Sequence, residues 1–175
     1  MNSVDLCRSR LDNGALFLDT ETTGVDELAE IIEIAVIDKE GCPVYEKLVL
    51  PQVPITPKLT ALHGISNAMV AEAPWFCEVY GDLCRKLEGR LLIAYGADFD
   101  ARMIRKTCEL YTLEDLSCRR GCAMQMYHAH IGQEKRIKLS VAAEQCRVYN
   151  KKPHRARNDA ETVWGIVRTV AGDRL

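Results

Sequence analysis

Ala15-Leu16-Phe17-Leu18-Asp19-Thr20-Glu21-Thr22-Thr23-Gly24 is the stretch on which the fold turns. A short apolar run ends in acid and passes into a polar turn, which reads as a buried central strand. Working outward, Ile31 to Asp38 (IIEIAVID) has strong β propensity. Lys39-Glu40-Gly41 reads as a hairpin turn and Val44 to Leu50 as the returning strand, so three strands form an opening meander. Pro51, Pro54 and Pro57 then interrupt regular structure.

Beyond the prolines the periodicity changes. A short helix is predicted over Pro57 to Leu62, and Ser66 is placed to cap another through Val70. Pro74 suits the first turn of a longer helix over Trp75 to Leu87, ended by Gly89. Leu91 to Tyr95 is continuously apolar, as a strand covered on both faces would be. Asp100 to Leu110, Ala123 to His128, Leu139 to Arg147 and Asn158 to Val170 read as helices, and a short fifth strand is predicted near Leu116–Arg119. A meander followed by alternating helices and strands implies an α/β fold with a mixed sheet and right-handed crossovers.

The chain has 175 residues, 47% of them hydrophobic and 27% charged, the profile of an ordinary globular protein. Residues 1–175 are read as a single domain. The composition argues against long disorder, collagen-like repeats and coiled coil, and no apolar run approaches the ~18–20 residues of a membrane span. Met1 to Arg10 lacks the layout of a secretory signal, which predicts a cytoplasmic protein. The eight cysteines form no CxxC and no secreted framework, so most are expected to be buried reduced thiols. Cys118, Cys122, His128 and His130 are a conceivable zinc set, but their CxxxC and HxH spacings fit common zinc patterns poorly.

Charge is unevenly spread although the formal net charge is only −2. Residues 1–34 carry eight acids against Arg8 and Arg10, a local −6, and residues 135–157 carry eight bases against Glu144, a local +7. Such asymmetry suits a polyanion held by one face and worked on by another. A solvated basic loop is the plainer alternative.

Three sets of residues can carry chemistry. Asp19 and Glu21 lie two apart, so in an extended chain they point to the same side. Their mutual repulsion is resolved by a divalent ion with hard oxygen ligands, Mg²⁺ or Mn²⁺, unless both are simply exposed before a turn. Asp100 follows the fourth strand, beyond whose carboxyl end α/β proteins gather ligands. A helix-dipole acid is the alternative there, and Asp98 a competing candidate. His154 sits in a loop entering the last helix, with Asp159 in its first turn. That pairing places a proton acceptor beside a metal-binding carboxylate.

Taken together, LDTETTG at 18–24, AYGADFDARMI at 94–104 and HRARNDAET at 154–162 resemble the three ordered motifs of the DEDDh-type 3′–5′ exonucleases, the superfamily of proofreading exonucleases, ribonuclease T and oligoribonuclease. PITPKLTALHGIS at 54–66 is similar to the family's segment before its first long helix. Tyr95-Gly96 and Asn158 depart from residues common in the family, away from the five catalytic-type positions.

The resemblance implies a ribonuclease H-like fold: a five-stranded mixed sheet, order 3-2-1-4-5, flanked by helices. It implies that Asp19, Glu21, Asp100 and Asp159 hold two Mg²⁺ or Mn²⁺ ions, and that His154 is the general base for an in-line attack releasing nucleoside 5′-monophosphates from nucleic acid 3′ ends. Thr22 and Gly24 match positions that meet the terminal sugar, and Val25, Leu62 and Phe99 an apolar wedge around the last bases. His63 matches either a terminal-nucleotide contact or a structural histidine. The substrate is DNA or RNA, and the basic stretch 147–157 would track its phosphates. Several stand-alone members dimerise, so the resemblance leaves a homodimer open, and no sequence feature decides it. The competing readings are a catalytically silent nucleic-acid-binding module and an accessory subunit of a larger nucleic-acid-processing complex.

Overall fold

The computed structural model describes residues 2–173. Helix α1 (Ser3–Asp12) precedes a meander of β1 (Leu16–Thr22), β2 (Ile31–Ile37) and β3 (Pro43–Leu48). Short α2 (Pro57–His63) and α3 (Asn67–Val70) lead to α4 (Phe76–Leu87), β4 (Leu91–Ala94), α5 (Ala97–Leu110) and β5 (Arg119–Cys122). Then come α6 (Ala123–Ile131), α7 (Leu139–Gln145) and α8 (Ala156–Ala171). The sheet order is β3-β2-β1-β4-β5, as expected, with β1–β2 and β2–β3 antiparallel and β1–β4 and β4–β5 parallel.

Strand alternation divides the core into two layers. Leu16 and Leu18 of β1 pack with Ile34, Val36, Leu92 and Ala94 under α4 and α5. Phe17 points the other way, with Ile37 and Ile93, into a layer closed by α1, α6, α7 and α8. All seven residues of β2 are buried and β1 is nearly so, which explains their near-continuous apolar runs. Helix α8 lies across β1 and β2 with Ala160, Val163, Ile166 and Val167 inward.

Three elements differ from the sequence-based expectation. Helix α1 was not foreseen: only Cys7 and Leu11 are buried on it, so its apolar periodicity is faint, and its start rests on the Asn2 side chain accepting the Asp5 N–H at 2.8 Å. The fifth strand lies at Arg119–Cys122 instead of near Leu116–Arg119; RRGC has little β propensity and is a strand because it pairs with β4. Pro74 stands outside α4, whose first turn is instead closed by Glu78 accepting the Trp75 N–H at 2.7 Å.

The segment between α7 and α8 is seated on a glycine. A Cβ added at Gly165 of α8 would lie 2.7 Å from Val148 Cγ1. Gly165→Ala is expected to destabilise the protein by about 1–3 kcal/mol, the usual cost of overpacking. Val148→Ala in the same chain is expected to recover most of that loss in urea unfolding; equal stability of all three proteins would show that the contact is not tight.

Candidate active site

The alternation that buries Phe17 puts Asp19 and Glu21 on the same face, beyond the apolar floor and under α8. Their partners across the ladder are Ala35 and Glu33. The intervening Thr20 points to the opposite face, where its hydroxyl donates to Asp100 Oδ1 at 2.8 Å. Asp100 lies in the first turn of α5 and is buried. Asp159 lies in the first turn of α8 and is likewise buried, its Oδ1 accepting from Asn150 Nδ2 at 2.6 Å and its Oδ2 from the His154 backbone N–H at 3.2 Å. His154 is exposed and has φ +58°, an uncommon conformation for a non-glycine residue.

The structure therefore gathers all five predicted residues at one end of the sheet. Among the described residues Glu21, His154 and Asp159 form a metal-ligating trio, one ligand atom from each lying within 4.8 Å of the others. Asp19 and Asp100 stand beside the trio, close enough that Asp100 raises the proton affinity of both Asp19 and Glu21, and Glu21 and Asp159 raise that of Asp19.

Burial is the first cause of every shift here, because a carboxylate leaving water favours its neutral form. It pushes Glu21 up to about 8, helped by Asp159, Glu33 and Asp100 and opposed by Arg155. Asp19 is raised well above the carboxylate range by burial and then by Asp100, Asp159, Glu21 and Glu33. Asp100 is pushed up to about 7 by burial, against the Thr20 hydrogen bond. Asp159 is raised by burial, against its bonds from Asn150 and His154.

Two residues of this site were not singled out from the sequence. Glu33 is 2% exposed and meets the Arg155 guanidinium, and Asn150 holds Asp159. An acid inside the otherwise apolar IIEIAVID was the available signal for Glu33; nothing in the local pattern marks Asn150.

The expected substrate residues surround the same end of the sheet. The Thr22 hydroxyl donates to the Gly24 carbonyl at 2.6 Å, fixing the turn that leaves β1. Val25 and Leu62 are exposed at 71% and 52%, apolar side chains with no core to enter. Half-buried Phe99 carries the Arg102 guanidinium 5.4 Å from its ring centre, and Arg102 Nη1 donates to the Val25 carbonyl at 3.2 Å, tying the Val25 turn to α5. His63 is buried, with Nδ1 accepting the Ile65 N–H at 3.0 Å and Nε2 left without a partner. Burial lowers its pKa, which leaves a neutral ring with its proton on Nε2.

Some expectations are corrected. The basic stretch is not all free: Arg155 is spent on Glu33 and Arg157 on Glu46 and Glu161, whereas Arg147, Lys151 and Lys152 are exposed. All eight cysteines are free thiols, but only Cys7 and Cys108 are fully buried. The thiols of Cys118 and Cys122 join no metal-ligating group among the described residues, and His128 Nε2 accepts the Ile137 N–H at 3.3 Å. A cavity of about 360 Å³ opens between α1, α6, the edge strand β5 and the start of α5, with none of the five residues in its lining. Among the described residues no helix is long and apolar enough to cross a membrane.

A family model described as exonuclease (RNase T) matches residues 16–167. The chain is 35% identical over 174 residues to the uncharacterized exonuclease CP81 of Escherichia phage 186, covering 92% of this chain and 90% of the phage protein. It is 32% identical over 163 residues to the PolC-type DNA polymerase III of Caldanaerobacter subterraneus subsp. tengcongensis, covering 86% of this chain but only 11% of the polymerase. The nuclease domain of 3'hExo, a DEDDh family member solved bound to rAMP, superposes with a TM-score of 0.77 at 19% identity, over 89% of this chain and 90% of that one. That likeness identifies the fold as the ribonuclease H-like fold of the DEDDh exonucleases.

The raised carboxyls make stability depend on pH with a definite sign. Between the ordinary values of 3.8 and 4.5 and the folded values of about 7 for Asp100 and about 8 for Glu21, the folded chain binds more protons than the unfolded one. Stability contributed by these groups is therefore present at the acid end of that window and is lost as pH rises through 7 and 8. Thermal melts in a chelator are expected to show a falling Tm across it. A Tm that holds or rises would contradict the buried acidic cluster.

Proposed function

The chain belongs to the exonuclease family, and on that premise we propose that it is a metal-dependent 3′–5′ exonuclease, acting as one catalytic domain on single-stranded 3′ ends of DNA or RNA. The observation that carries this reading is the meeting of Glu21, His154 and Asp159 within 4.8 Å, with Asp19 and Asp100 beside them.

The donor set fits a pair of Mg²⁺ or Mn²⁺ ions. It offers hard carboxylate oxygens, and burial and crowding leave these acids short of positive charge. Asp19, Glu21, Asp100 and Asp159 are the residues that would hold them. Bound there, such ions lower the pKa of a water and stabilise charge on the phosphate and on the departing oxygen.

The chain's own residues do the rest. His154, exposed on its loop, takes the proton of the attacking water at an imidazole nitrogen. The water oxygen bonds to phosphorus in line with the terminal bond, the P–O3′ bond breaks with its electron pair passing to O3′, which takes a proton from solvent and stays on the shortened strand as its new 3′-hydroxyl, and a nucleoside 5′-monophosphate leaves. Thr22 and Gly24 border the terminal sugar, and Val25, Leu62 and Phe99 form the apolar wedge against the last bases. His63 presents Nε2–H, a buried donor that still lacks an acceptor, towards the terminal nucleotide. Arg147, Lys151 and Lys152 track the strand's phosphates without regard to sequence.

The RNA-type nucleotide in the solved 3'hExo domain supports the monophosphate product, and the match to a DNA polymerase supports DNA as well as RNA. That match also favours a second reading, in which the chain works docked on a larger replication assembly, since it corresponds to only 11% of the polymerase. We place the protein in the cytoplasm, in keeping with its eight free thiols, and carry a homodimer as a proposal tested by light scattering.

The test uses 5′-labelled single strands of DNA and RNA with Mg²⁺, Mn²⁺ or a chelator. A metal-dependent ladder shortening from the 3′ end is expected with the natural chain. Asp19→Asn is expected to abolish it while the protein stays folded, and His154→Ala to slow it about 10²–10⁴-fold, the usual share of a general base. Strands that are bound but never shortened would instead indicate a silent binding module or an enzyme awaiting its assembly.

Either metal is also expected to raise Tm by linkage, because it binds the folded chain alone. Asp100→Asn is expected to raise the metal-free Tm and blunt that response. Indifference of the melting curve to both metals would argue against a formed cluster.

A further inference from the structure

Glu33 is the acid of this site that lies outside the metal-ligating trio and is not among the four carboxylates proposed above to hold the ions. It lies opposite Glu21 across the β1–β2 ladder, a like-charge juxtaposition that costs stability unless something answers it. Its own charge is answered in full. Arg155 Nε donates to Oε1 and Oε2 at 3.1 Å each, Arg155 Nη2 donates to Oε1, and the Ala156 backbone N–H donates to Oε2 at 2.8 Å.

Ala156 is the first residue of α8, and no side chain caps that helix locally. Glu33 therefore supplies the cap from a different element, 123 residues away in sequence. His154 immediately precedes the two residues that Glu33 grips. Its imidazole is exposed, and on its other side the backbone is held by its own N–H to Asp159 Oδ2 at 3.2 Å and by Asn150, which donates to Asp159 Oδ1 at 2.6 Å and accepts the Lys152 N–H at 3.1 Å. The backbone that carries the His154 ring is thus anchored on both sides, and Glu33 supplies the side with four hydrogen bonds.

We propose that Glu33 and Arg155 form a positioning pair that fixes His154 for proton transfer, and that neither touches substrate or metal. This rests on the exonuclease reading above. Glu33→Gln keeps an acceptor for the Ala156 N–H but loses the charge that holds the guanidinium fork. Misplacing a reacting group by about 1 Å costs on the order of 10²-fold. Glu33→Gln is accordingly expected to lower kcat about 10–10²-fold on a labelled single strand at saturating Mn²⁺, leaving KM for the strand unchanged.

A structural defect would lower activity equally in any background, so the deciding measurement is a double-mutant cycle. In His154→Ala the same Glu33→Gln substitution is expected to cost nothing further, within about twofold. Arg155→Lys, which keeps the charge but not the fork, is expected to fall between the natural chain and Glu33→Gln, and it serves in the cycle where Glu33→Gln fails to fold. A full additional loss in the His154→Ala background, a loss carried by KM, or no loss at all would each overturn the proposal.

Amide exchange supplies a readout independent of turnover. Glu33→Gln is expected to speed exchange over residues 150–158 and to leave β1 and β4 unchanged. Unaltered exchange there would overturn the proposal even if the natural chain released no nucleotide, an outcome that by itself would overturn only the exonuclease reading.

Discussion

Five carboxyl groups meet where β1 and β2 run side by side, in a place that water scarcely enters. Crowded acids in a low dielectric repel and resist ionisation, so each must be answered by a donor or a positive charge. The protein answers three of them itself: Thr20 donates to Asp100, Asn150 and the His154 N–H to Asp159, and Arg155 with Ala156 to Glu33. Asp19 and Glu21 are left with burial and like charges raising their proton affinity, and no hydrogen bond among the opposing causes. The pair left without a hydrogen bond is the one on the central strand, with only the Arg155 charge opposing at Glu21, so the folded chain carries a local deficit of positive charge at the end of a strand held rigidly by the core.

That rigidity follows from the packing. Leu16, Phe17 and Leu18 are almost wholly buried and point alternately into the two core layers, so the strand can neither slide nor turn over without moving both. Asp19 and Glu21 inherit that fixed register. Asp100 and Asp159 come from the first turns of helices that pack on opposite faces, so the carboxylates meet only when both layers are assembled. His154 is the exception, borne on a loop and exposed. Its placement needs supports of another kind, namely a backbone bond to Asp159 and the grip of Glu33 on the residues that follow.

This division explains what was legible in the sequence. The abrupt passage from Leu18 to Asp19, the buried run of β2 and the stripe of α8 are signals of period and polarity that a local window contains. The strand order and all five gathered residues were readable from ordered motifs, with the resemblance supplying the order that periodicity alone leaves open. What was not legible depends on partners distant in sequence. Strand β5 is a strand only because β4 lies beside it, since Arg119-Arg120-Gly121-Cys122 has little propensity of its own. Helix α1 buries two residues and leaves almost no periodic trace. The thiols were expected inside because free cysteine behaves as a small apolar residue, yet Cys42 and Cys77 are exposed.

Charge counting shows the same limit most plainly. The local excess of bases over residues 135–157 treats Arg155 and Lys152 as equivalent, although one closes a buried carboxylate and the other faces solvent. Only the acid that each base meets distinguishes a structural charge from one free for a polyanion, and Glu33 is 122 residues from Arg155. The local +7 therefore overstates the free positive field at the site by the two arginines already paired with acids, Arg155 and Arg157. Of the six that remain exposed, Lys135, Arg136 and Lys138 precede α7, and Arg147, Lys151 and Lys152 lie in the loop that ends at His154. Attraction for a strand and placement of the base thus reside in one segment, anchored by Val148 against Gly165 at one end and by Glu33 at the other.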